Sequence, residues 1–382
     1  LHVVLERIDF HQTWGHHGGP TAAVSKDLAK TEQPFRKISR HGLVGKNSAL
    51  TAHPTTTMTT TTTTTILLAL ALLLPLPAAA ELPATLADTG LWSDPETRTL
   101  APGVVAYEPR HPLWTDGLDK QRWIQIPAGT AIVATDPDHL RFPIGTKLWK
   151  QFAFEGAPVE TRYLERTESG WLFAAYVWQG DEAVLAPQRG LRTQVEVAPG
   201  QMHDIPGRYD CAACHGGQDP PVLGFSAVQL SVTPDPSDLD LAALTDAGLV
   251  VGLPAELLER PVHDTPAAVG YLHGNCGHCH NAGGPLAGLG LDLQLRVADA
   301  GQTPAAVATT VDVEAHTTAR SARGRLRVDR NNPFESQLLQ RVNNRDPLAR
   351  MPPLGTKIVD PRGVELLTTW IRDELAATDP HF

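Results

Sequence analysis

All four cysteines of this chain fall in two five-residue stretches, Cys211-Ala212-Ala213-Cys214-His215 and Cys276-Gly277-His278-Cys279-His280. Each reads Cys-x-x-Cys-His, the attachment signature of a c-type haem. The spacing has a chemical reason. Two thiols three residues apart can add to the two vinyl groups of one porphyrin, and the adjacent imidazole then reaches the iron from one face. The axial ligands in turn set the redox behaviour. The motifs therefore predict two covalently bound haem c groups, carried by Cys211, Cys214, Cys276 and Cys279, with His215 and His280 as iron ligands. One zinc shared by the two pairs, or two redox dithiols, would use the same cysteines. A zinc ribbon brings its pairs closer in sequence than Cys214 and Cys276, and neither chemistry requires a histidine after each second cysteine. His278 reads as a surface residue, because one haem needs one proximal imidazole and His280 supplies it.

The elements that must position these residues can be outlined from composition and pattern. The formal net charge of −10 argues against nucleic acid and anionic membrane partners. It suits a basic redox protein, with attraction acting mainly on association rate. The strong apolar run, Ile66–Leu76, is followed by Ala78-Ala79-Ala80 and reads as a signal peptide over 58–80, although no Lys or Arg separates Met58 from the run. It is shorter than the about 20 residues of a membrane span. Export agrees with the cysteines, since c-type haem is attached outside the bacterial cytoplasm. Met58 is the first methionine, so residues 1–57 are expected to be a non-native or disordered extension. The competing account is a cytoplasmic extension whose basic residues hold an uncleaved anchor.

Residues 81–200 read as a strand-rich, β-sandwich-like domain. Arg122–Ile126 alternates, Lys147–Phe152 follows, and Val159–Arg166 and Gly170–Trp178 are joined through Glu168-Ser169-Gly170. Ile126-Pro127-Ala128-Gly129-Thr130 and Phe142-Pro143-Ile144-Gly145-Thr146 echo each other, which suggests a repeated strand–turn unit. Trp114, Trp123, Trp149, Trp171, Tyr176 and Trp178 are expected to build its core. No nucleophile–base motif and no phosphate-cradling glycine loop occurs there, so any chemistry falls to the haem. Residues 201–260 hold the first motif and a loop-rich connector, with a helix over Leu239–Ala247 stopped by Gly248. Residues 261–382 are helical. Asp264-Thr265-Pro266 caps a helix running into Cys276, Pro333–Val342 forms a shorter one, and Asp360-Pro361 opens the last. The fold class is α+β.

The C-terminal part resembles a class I cytochrome c, in which a helix ending in Cys-x-x-Cys-His is crossed by a closing helix preceded by a methionine loop. The resemblance implies that Gly270 and Tyr271 meet Leu367 and Trp370, and that Met351 is the distal ligand opposite His280. Met351 is also the only methionine downstream of either motif, although a plain core methionine would look the same. The span from about Leu82 to Trp370 is similar to a family of exported bacterial di-haem proteins. The matching elements are Phe142-Pro143-Ile144-Gly145-Thr146, Glu160-Thr161-Arg162, Gly170-Trp171, Leu223-Gly224-Phe225 and Gln229-Leu230. For the first haem the distal ligand stays open among Met202, His203, His263, His273 and none. The expectation is a periplasmic electron carrier serving an unidentified donor and acceptor. The alternative is a di-haem enzyme, peroxidase or P460-like, whose first haem has an open iron position.

Overall fold

In period-two segments such as Arg122-Trp123-Ile124, alternate side chains must leave opposite faces of a strand, and here both faces find cover. The computed structural model describes residues 82–231, 239–258, 262, 265–316 and 323–377. The expected extension and signal peptide, as well as His263 and Asp264, lie outside the described residues. Six strands form one antiparallel sheet: β1 (Val104–Ala106), β2 (Asp119–Gln125), β3 (Lys147–Phe154), β4 (Ala157–Thr167), β5 (Gly170–Gln179) and β6 (Glu182–Leu185). They pair in that order as a meander, with Thr167 opposite Gly170 across the Glu168-Ser169 turn. On one face Trp123, Trp149, Tyr163, Ala174 and Tyr176 join Leu86 and Leu91 in an aromatic core. On the other, Ile124, Leu148 and Leu164 pack with Phe142, Val222 and Phe225. The strand-rich, α+β expectation is met at this level.

The two Pro-x-Gly-Thr segments fold alike. Thr130 and Thr146 each direct both the backbone N–H and the hydroxyl to the carbonyl of the preceding Pro127 or Pro143. Gly129 and Gly145 hold positive φ angles of 76° and 89° that favour glycine. Beyond the sheet, the ribbon Leu191–Ala198 and Gln201–Ile205 leads into α1 (Arg208–His215). Asp210 in its first turn accepts from the Gly207 N–H at 2.8 Å, satisfying a group the helix leaves unpaired. Helix α2 (Leu241–Asp246) is capped by Asp240 on the Ala243 N–H and ends before Gly248, φ 69°.

The helix entering the second motif, α3 (Ala267–Leu272), continues as a π turn over His273–Gly277. A shorter helix, α4 (Gln337–Val342), follows a 3-10 turn at Pro333–Glu335. The closing helix, α5 (Pro361–Thr369), is capped by Asp360 on the Gly363 N–H at 3.0 Å and runs on as a π turn through Leu375. Val269, Leu272, Leu367, Trp370 and Ile371 form the core between them. Of the pair that the resemblance set against Leu367 and Trp370, Tyr271 packs in their core, while Gly270 turns its side-chain position toward His111. A side chain on Gly270 would overlap the His111 imidazole, and one on Gly363 would overlap Tyr271.

Sheet and C-terminal helices belong to one compact unit, 77–382. Asp116 accepts from the N–H groups of Lys357 and Ile358, both at 2.9 Å, and Trp114 donates its N–H to the Asn275 side chain at 2.7 Å. Lys357 also reaches Asp204 at 2.7 Å. The loop that follows Met351 is thus pinned to the strand-rich half. Gly363→Ala separates propensity from packing. Alanine is favoured in a helix by about 1 kcal/mol, while overpacking costs about 1–3 kcal/mol, and Tyr271 would also be driven off Asp360. A net loss of stability is expected, read as a lower thermal midpoint.

Candidate functional site

Helix α1 lies against β5, and this contact sets the first motif on the wall of a cavity of about 590 Å³. Cys211, Cys214 and His215 line it, together with Leu148, Leu164, Val222 and Phe225. The His215 Nδ1 lies 2.8 Å from the Pro221 carbonyl oxygen. A carbonyl can only accept, so Nδ1 carries the proton and Nε2 keeps its lone pair, the form in which imidazole binds a metal. Phe173 on β5 holds the ring from the side, with centroids 5.0 Å apart. Burial pushes the imidazole pKa down to about 4, which keeps the ring neutral. Apolar walls, two thiols and an oriented imidazole are what a thioether-bound porphyrin requires, and the first motif fits it.

The two motifs touch. A Cβ at Gly217 would overlap the His278 carbonyl, so glycine is needed there. Asn281 donates to the carbonyls of Gly217 and Gly277, each at 2.9 Å. The Cys279 thiol faces the Ala213 carbonyl at 4.0 Å, and Cys279 and His278 both hydrogen-bond to Cys214. Those neighbours, Cys279 first, hold the Cys214 thiol well below its ordinary value, while Cys279, as the partner keeping its proton, is pushed up. His278 is therefore half-buried on the cavity wall rather than at the surface, because the side-chain-free Gly217 lets the motifs close on each other. The four cysteines form no disulfide, and among the described residues no three His, Cys, Asp or Glu side chains converge as a zinc site would need. Porphyrin iron takes at most two protein ligands and needs no such group.

The second motif has different surroundings. Cys276 and Met351 line one crevice, with Tyr271 and Arg345, but its volume is only about 20 Å³ and His280 is not part of its lining. The His280 Nδ1 is buried without a partner. The crevice places Met351 beside Cys276, with His280 outside its lining. Compared with protein-family models, curated proteins and solved structures, the chain matches none.

The candidates for a distal ligand at the first motif separate clearly. His203 is buried and its Nε2 is paired with Glu160 at 2.9 Å. Met202 does not line the cavity. His273 does, but its Nδ1 accepts from the Leu295 N–H at 3.1 Å, which puts the proton of the neutral ring on Nε2.

Three cavity residues escaped the sequence reading: Arg122, Lys150 and Arg162. They sit opposite one another on β2, β3 and β4. The signal was their parity, two residues from Ile124, Leu148 and Leu164 on the same strands, and it becomes legible only once the register is known. Glu160 is fully buried and accepts from Arg162 at 2.7 and 3.1 Å. Burial alone would raise its carboxyl pKa; Arg162 and then His203 outweigh that and hold it below the ordinary value. Glu160→Gln leaves the guanidinium without its counter-charge, and breaking a buried pair in this way costs about 3–5 kcal/mol. The partial exposure of Arg162 sets the lower end as the expected loss, read from the urea midpoint. Because the folded pKa is depressed, this increment is present above the unfolded value of about 4. It is lost as pH falls through the folded value, and Glu160→Gln removes that acid-dependent step.

Proposed function

We propose that this protein is an exported di-haem c-type protein that passes single electrons between redox partners in the periplasm. The observation that supports it best is His215, fixed by the Pro221 carbonyl with Nε2 free, beside Cys211 and Cys214 on a cavity wall. A haem held there would supply a one-electron iron couple. The chain's own part is to anchor the ring through two thioethers, orient the imidazole, and keep water off with Leu148, Leu164 and Phe225. For the second motif the case is the sequence signature, together with the crossing of α3 and α5. That crossing supports reading the C-terminal part as class I cytochrome c-like, with Met351 in the loop before the closing helix. The acidic surface favours a basic partner whose association rate falls with added salt. Among the described residues no helix is long and apolar enough to cross a membrane.

A specific observation favours a second reading, in which the first haem has an open iron position and acts on a small molecule. His203 is engaged by Glu160, and His273 holds its proton on the nitrogen that would have to bind. Expression in a bacterium competent for c-type haem attachment separates the readings. Intact mass should show two porphyrins, and Cys211→Ala/Cys214→Ala should remove one. Carbon monoxide should leave both reduced haems unchanged in a carrier, whereas binding to one of the two supports the enzyme. Unmodified thiols after export would overturn both.

A further inference from the structure

The cavity wall carries a charge pattern that porphyrin attachment through His215 does not use. Arg122, Lys150 and Arg162 are paired residue to residue across three neighbouring strands, which sets their Cβ atoms about 5 Å apart. Like charges directly opposite one another destabilise a sheet. Two of the three have counter-ions: Arg122 holds Glu108 at 2.5 and 2.6 Å, and Arg162 holds Glu160. Among the described residues the Lys150 ammonium has no hydrogen-bond acceptor and rests 5.1 Å over the Phe152 ring. Arg122, 3% exposed, leaves its Nη2 buried with no partner. Thr115 and Thr356 line the same cavity and also carry buried hydroxyls without partners. Orphaned donors on one cavity mark the place of a polar group that the protein alone does not supply.

We propose that Lys150, flanked by Arg122 and Arg162, forms a subsite for an anionic oxygen group, a carboxylate or a small oxyanion, in the cavity beside His215. The subsite rests on the haem reading only for what stands next to it. Lys150 offers three donors and a full charge, and the Arg122 Nη2 adds a directed one. Burial, then Arg122 and Arg162, push the Lys150 ammonium well below its usual pKa, and a bound anion would reverse that pressure. Of the cavity's four acidic residues, Asp210 is held by Arg192, Asp204 by Lys357 and Asp138 by the Val297 and Ala298 N–H groups, and Asp219 makes no ion pair with Lys150 among the described residues. The anionic group has two sources, the propionates of the porphyrin itself or a free oxyanion entering beside it.

Sulfate, which haem iron neither oxidises nor reduces, is the probe. Calorimetric titration at low ionic strength compares the exported wild-type protein with Lys150→Met and Lys150→Arg, alongside the reduction potential of each haem. For a free oxyanion, wild type binds sulfate, Lys150→Met weakens it at least tenfold, and Lys150→Arg stays within about threefold, since either cation can hold the anion. For propionates, wild type binds no sulfate, but Lys150→Met lowers the potential of one haem and Lys150→Arg restores it. In both cases the thermal midpoint of Lys150→Met is at or above that of wild type, because a repulsive charge has gone. If neither sulfate affinity nor potential responds, or if Lys150→Met only loses stability, the subsite is wrong. Should Lys150→Met fail to accumulate, Lys150→Gln takes its place with the same expectations. Intact mass on the same samples counts porphyrins independently. Lys150-dependent sulfate binding without porphyrin would sink the haem reading and keep the subsite, and two porphyrins with no response would do the reverse.

Discussion

The period of two along a strand is the constraint from which the described architecture follows. Each strand of the sheet must send alternate side chains to opposite sides, and neither side here is left to solvent. Trp123, Trp149, Tyr163 and Tyr176 pack in one aromatic core with Leu86 and Leu91. Their neighbours Arg122, Lys150, Arg162 and Phe173 are thereby committed to the other face, where α1 and the first motif sit. A one-residue slip between β3 and β4 would exchange the two sets. With β3 in place, it would turn Arg162 in among the indoles and, with β5 carried along, deprive His215 of Phe173. Register is therefore a condition of the candidate site as well as of the core.

Close backbone approach is the second requirement, and glycine and asparagine meet it together. Gly217 admits the His278 carbonyl, and the Asn281 amide then bridges the two motifs, so that residues far apart in sequence share one wall. Asp116 does comparable work between the halves. Its carboxylate takes two consecutive backbone N–H groups after Met351, donors that find no backbone acceptor among the described residues. The strand-rich half and the helical half are joined by directed bonds to backbone, which fix geometry more narrowly than apolar contact alone.

Much of this was legible in the sequence. The strands around Trp123, Trp149 and Trp171, the Pro-x-Gly-Thr turns, the helix stop at Gly248 and the helix start at Asp360 all follow from local rules of turn chemistry and periodicity. The two Cys-x-x-Cys-His motifs stand out in the sequence because the chemistry they would serve dictates their spacing. What lay out of reach was set by pairing across the chain. Lys150 looks like an ordinary strand lysine until β2 and β4 place guanidiniums on either side. His278 looks like a surface residue until Gly217 draws the motifs together. Gly270 looks like a helix-crossing glycine, yet the ring against it is His111, from a segment with no evident connection to the motif. The role of Pro221 could not be seen either, because a carbonyl announces nothing in the sequence.

The same five-residue signature occurs twice and receives two different environments, and the difference is physical. At the first, the helix ends beside a loop whose Pro221 carbonyl faces Nδ1, and the side chains open onto a cavity with both apolar and cationic walls. At the second, the helix has already passed into a π turn, Cys276 is directed into the apolar core beneath α5, and the His280 Nδ1 has no acceptor. An imidazole whose second nitrogen is hydrogen-bonded has its tautomer chosen before any metal arrives, and one without that bond does not. The motif specifies which covalent bonds can form. The carbonyl, the cavity and the charges around it decide whether a porphyrin finds a site already shaped to receive it, and at the first motif these features act together.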